Sequence, residues 1–73
     1  MYRNNDIIDS KPREYWENVI FQWVHDELAR KILEKHLLDG LSYERIAEDL
    51  EISRATVYNK VSRYSPQVFQ HSD

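Results

Sequence analysis

The sequence encodes an all-α protein, a small four-helix domain, and two observations establish this. Glycine occurs once and proline twice in 73 residues, so the chain has few of the breakers that separate strands and hairpins. Its apolar residues instead recur at helical spacing: Trp16, Val19, Ile20 and Trp23 stand at i, i+3, i+4 and i+7, the stripe of a helix packed on a core. The size of the chain limits the rest. With 41% apolar residues, a chain this short closes one core and not two.

The first helix is expected to begin with Ser10 as N-cap, with Pro12 in its first turn and Glu14 near the positive end of the dipole, and to run to about Val24. Phe21 and Val24 fall outside its apolar stripe. The second helix starts from Asp26 as N-cap and turns Leu28, Ala29, Ile32, Leu33 and Leu37 inward. It ends at the lone Gly40, with Lys35 and His36 in its last turn. The third opens on Ser42, with Arg45 where a capping box would carry Glu, and continues through Ile46, Ala47 and Leu50. After a break at Glu51 and Ile52, Ser53 caps a fourth helix whose inward residues are Val57, Val61 and Tyr64. Ser65-Pro66 is expected to end it, because a residue before proline is pushed out of the α region. The chain thus divides into a flexible arm (1–9), a helical domain (10–65) and a tail (66–73), with Val68 and Phe69 of the tail folded back on the bundle.

Net charge is −3, an unpromising total for a partner of phosphate. Its distribution is uneven. From Ile52 to Ser72 there is no acidic residue, while Arg54, Lys60 and Arg63 are all present, so the fourth helix lies in a positive local field within an acidic protein. Several function classes are excluded. The longest apolar run is Val19-Ile20-Phe21, too short to span a membrane, and the charged residues around Ile7 and Ile8 are unlike a signal peptide. The expectation is a soluble protein of the cytoplasm. Cysteine is absent, which removes thiolate chemistry and cysteine zinc sites. His25, His36 and His71 are widely separated and read as surface residues rather than metal ligands. His25, Asp26 and Glu27 are adjacent on a helix and point in different directions. No enzymatic activity, metal or cofactor is expected.

Residues 41–64, LSYERIAEDLEISRATVYNKVSRY, form a helix, a turn and a second helix. Ala47 stands where the two helices cross most closely, and Ile46, Leu50, Ile52 and Val57 form the small core that sets their angle. This segment resembles the helix-turn-helix of region 4 of bacterial sigma factors, with residues 42–64 as the motif. The lead-in RKILEKHLLDGLSYERIA (30–47) is similar to the one these domains share with regulators of phages and mobile elements. ISRATVY (52–58) also resembles the DNA-binding end of resolvases and invertases.

The resemblance implies a non-enzymatic, sequence-specific regulator of transcription that places the helix of residues 53–64 in the major groove of double-stranded DNA. Helical phase and the resemblance together assign base contacts to Arg54, Ala55, Tyr58 and Asn59: arginine for guanine, asparagine for adenine, alanine for a thymine methyl. Ser42, Tyr43, Thr56, Lys60 and Arg63 are assigned to phosphates. Two alternatives remain open: a sigma-like adaptor acting through RNA polymerase, and an accessory factor of DNA recombination. One recognition helix gives limited specificity, which regulators extend by two-fold pairing. Trp16, Phe21, Trp23 and Val24 form the expected homodimer or partner face. Glu51 occupies the turn position where the family most often has glycine, and a left-handed backbone there costs a non-glycine residue roughly 1–2 kcal/mol. Glu44, Glu48 and Glu51 line one side of the third helix and are expected to meet a basic partner such as a polymerase surface.

Overall fold

A computed structural model describes residues 8–71, and all its regular elements are helical. The expected free arm falls largely on residues 1–7, outside those described. Helix α1 spans Arg13–Trp23 and α2 spans Glu27–Leu33, continuing without a break into a π-helical turn, Glu34–Leu38. Helix α3 spans Tyr43–Leu50 and α4 spans Arg54–Gln70. One core joins them, built from Trp16, Val19, Ile20 and Val24 of the first segment, Ala29, Ile32, Leu33 and Leu37 of the second, Ile46 and Ala47 of α3, and Val57, Val61 and Val68 of α4.

Helix α1 begins three residues later than expected, with Pro12 and not Ser10 at the N-cap. The reason is Lys11: a helix starting at Ser10 would need α geometry at the residue before a proline, which the ring disfavours. At its other end α1 stops at Trp23, and the extended backbone at Val24 (φ −107°, ψ 109°) turns that side chain fully into the core. The helical phase that set Val24 outside the stripe no longer applies there. Trp23, expected in the core, is 39% exposed and stacks on His71, with centroids 3.8 Å apart and planes at 9°. Arg30 fastens the corner. Its guanidinium donates to the carbonyls of Val24 (2.5 Å) and Phe21 (2.9 Å), satisfying acceptors that the end of α1 leaves open.

The next two helices start where expected. The Asp26 carboxylate accepts from the Ala29 N–H at 3.0 Å, and the Ser42 hydroxyl accepts from the Arg45 N–H at 3.2 Å. Gly40 takes the left-handed conformation (φ 72°) that closes the second segment. The wide turn before it was not expected: the Asp39 N–H reaches back five residues to the Glu34 carbonyl (3.1 Å).

Helix α4 does not end at Ser65-Pro66. It continues through Pro66 to Gln70, so residues 66–70 are helix rather than tail. Proline inside a helix costs about 3 kcal/mol, here by leaving the Ser62 carbonyl without its partner. The extra turn offsets this by burying Val68 completely, worth about 1.5–3 kcal/mol, and by setting Phe69 edge-on against Trp16 at 5.9 Å. The expected return of Val68 and Phe69 to the bundle is thus achieved by a continuous helix.

Candidate nucleic-acid interface

The turn between α3 and α4 sets the angle of everything that follows. Glu51 adopts φ 56°, ψ 46°, the left-handed conformation. The Ile52 N–H bonds the Ala47 carbonyl (3.0 Å) and the Glu51 N–H bonds that of Glu48 (3.3 Å), the paired bonds of a Schellman closure. Ile52 then packs against the core. Two residues on, Ser53 opens α4: its hydroxyl accepts from the Thr56 N–H at 3.1 Å and lies 2.8 Å from the Thr56 hydroxyl. Glutamate therefore holds a conformation that glycine adopts freely, and the motif closes around it.

The first two turns of α4 display the expected outer face. Arg54, Ala55, Tyr58 and Asn59 are all exposed, and together with Tyr43 they line one open, shallow depression. Val57 and Val61 are buried on the opposite side, and Tyr64 is half-buried beside them. Tyr43 belongs to the rim of this depression rather than to a separate phosphate site. Its ring is wedged between His36 (4.8 Å) and the edge of Tyr58 (6.1 Å). The His36 Nδ1 donates to the Leu41 carbonyl at 2.9 Å, so the end of α2 steadies the start of α3.

The residues assigned to phosphate do not form one set. Ser42 is exposed but its hydroxyl is engaged as a cap, and the Thr56 hydroxyl is held by Ser53. Arg63 is exposed, with its guanidinium 5.5 Å from the Tyr64 ring. Lys60 is turned away from the outer face and ion-paired with Asp26, at the start of α2. Both partners are about three-quarters buried, and the Lys60 ammonium, ahead of the Ala29 N–H, holds the Asp26 carboxyl below its ordinary range. A signal for this exists in the sequence. Lys60 completes the series 57, 60, 61 and 64, the inward stripe, so helical phase alone sets it toward the bundle. Its partner, 34 residues earlier, is a non-local contact with no local signature.

The expected partner face also separates. Trp16 is 1% exposed and Val24 is buried, and the Trp16 indole N–H donates to the Ile8 carbonyl at 2.8 Å. Both belong to the interior. Phe21, at 68% exposure, and the partly exposed Trp23 remain outside. Phe21 lies under the Arg30 guanidinium at 4.5 Å. Glu44, Glu48 and Glu51 are exposed. Among the described residues, no helix is long and apolar enough to cross a membrane.

Residues 26–63 match the family model for sigma-70, region 4. The match starts at the cap of α2 and stops within α4, omitting α1 and the last turns of the molecule. No curated protein and no solved structure matches the chain. Because more than half of the chain is matched, and the matched part is the two-helix unit with its lead-in just described, the protein belongs to the sigma-70 region 4 family of non-catalytic, DNA-binding helix-turn-helix domains.

Proposed function

We propose that this protein is a sequence-specific regulator of transcription, acting in the cytoplasm, that inserts the N-terminal half of α4 into the major groove of duplex DNA. The observation that carries the reading is the outer face of α4. Arg54, Ala55, Tyr58 and Asn59 share one exposed depression at the end of the helix that reaches base edges in this motif, on a helix without an acidic residue. Arg54 forms no ion pair among the described residues, so its guanidinium is available to the O6 and N7 of a guanine. Arg63 contributes to phosphate binding, while Lys60 acts through its pair with Asp26.

Two-fold pairing supplies the additional specificity, with Phe21 and Trp23 as the surface offered to a second copy. The exposed Glu44, Glu48 and Glu51 support a second reading, in which the protein works chiefly as an adaptor touching a basic surface of RNA polymerase.

Selection from random duplex pools at two salt concentrations, with Arg54→Ala in parallel, tests these readings together. Specific recognition yields an enriched motif, which Arg54→Ala relaxes at one position at a cost of about 1–3 kcal/mol. A paired protein yields two half-sites about one helical turn apart, and a monomer yields one. Binding lost equally across all sequences would assign Arg54 to phosphate. Failure to bind any duplex would overturn the leading reading in favour of the adaptor.

A further inference from the structure

The depression on α4 is apolar at its floor and polar at its ends. Its floor is the Ala55 methyl group with the rings of Tyr58 and Tyr43, and its arms are the Arg54 guanidinium and the Asn59 amide. Tyr58 is a large aromatic residue 57% exposed, in a molecule whose other large apolar groups mostly enter the core. Its ring is held edge-on to Tyr43, which His36 supports from behind. The floor is therefore formed before any partner arrives, and it is contributed by two helices at once.

Of the groups displayed in the major groove, the amino, carbonyl and ring-nitrogen positions are polar. The apolar one is the methyl group at C5 of a pyrimidine. We infer that this floor seats the C5 methyl group of a pyrimidine, and that Tyr58, with Ala55 and Tyr43, makes the site specific for it between the bases contacted by Arg54 and Asn59. This rests on the DNA-binding reading above and adds the chemistry that the middle of the site selects. It also gives Tyr43 a part in specificity.

The test uses the duplex enriched by the full-length protein, with each thymine replaced in turn by uracil, which removes the methyl group and nothing else. The expected result is a loss of about fourfold at one position or at two neighbouring ones, the worth of one buried methyl group, and no change elsewhere. In Tyr58→Ser, an exposed substitution, the same replacement is expected to have no effect. Thymine and 5-methylcytosine both carry the group, and comparing 5-methylcytosine with cytosine at the sensitive position shows whether the floor accepts both bases. Equal binding of thymine and uracil at every position, with duplex binding intact, overturns the inference alone. A fourfold loss that persists in Tyr58→Ser overturns its assignment to this floor. No binding to any duplex overturns both the inference and the reading beneath it.

Discussion

Residues 26–63, which match the family model, are held together differently from the parts that flank them. Within the matched segment, the boundaries are set by neighbours in sequence. Asp26, Ser42 and Ser53 each cap the helix that follows, and Gly40 and Glu51 each close the one before. The flanking parts, α1 and the end of α4, are held by contacts distant in sequence: Trp16 on Phe69, Trp23 on His71, and Arg13 on Asp39 at 2.6 Å. The first region carries the candidate interface and the second covers its back. A helix-turn-helix alone has too few apolar residues for a stable core, and here α1 and the last turns of α4 supply the missing side.

If that division of labour is right, the largest effect on stability comes from a residue far from the interface. Trp16→Ala removes the largest side chain of the flanking region and is expected to cost about 3–5 kcal/mol. For a domain this small, that is comparable with the whole stability. Urea denaturation followed by far-ultraviolet circular dichroism measures it. A loss below 1 kcal/mol would show that the matched segment stands without its cover. Arg54→Ala makes the opposite prediction, since its side chain is exposed: DNA affinity falls as described above while the denaturation midpoint stays within about 0.5 kcal/mol of the parent.

The same contrast explains what was legible in the sequence. The caps at Asp26, Ser42 and Ser53, the glycine stop and the outer face of α4 are local patterns, and each was readable from residue type and helical phase. Pro66 was misleading because its local rule, that helices end before proline, is outweighed by the burial of Val68 and Phe69 against a helix about fifty residues earlier. Trp23 and Val24 exchanged places because a helix ended one residue before its phase was abandoned. Lys60 drew a phosphate assignment from its charge, although its position in the inward stripe already pointed to the bundle.

Asp26 belongs to both kinds of contact, since it caps α2 locally and pairs with Lys60 across the fold. Asparagine caps about as well as aspartate, so Asp26→Asn removes the pair and keeps the cap, with an expected loss of about 1 kcal/mol at neutral pH. The folded carboxyl titrates below its ordinary range. Its contribution is therefore fully present above the unfolded value near ~4 and fades as pH falls through the folded one. Denaturation at pH 7 and again near pH 3 should show the gap between parent and variant narrowing in acid. A constant gap would mean that the loss comes from the cap and not from the charge.

The smallest effect is expected at the turn, where one residue serves stability and binding in opposing ways. Glu51 is strained by its left-handed backbone, and Glu51→Gly relieves roughly 1–2 kcal/mol of steric cost while returning part of it as added freedom of the unfolded chain. A net gain of about 0.5–1 kcal/mol should appear in the denaturation midpoint. The substitution also removes a negative charge two residues before the cap of α4, so any gain in DNA affinity has two possible sources. Glu51→Gln separates them, because it keeps the strained backbone and loses only the charge. If charge is what limits binding, Glu51→Gln matches Glu51→Gly in affinity at low salt, and the advantage of both fades as salt screens it. If the turn geometry is what limits binding, Glu51→Gly alone improves affinity, and the improvement survives at high salt.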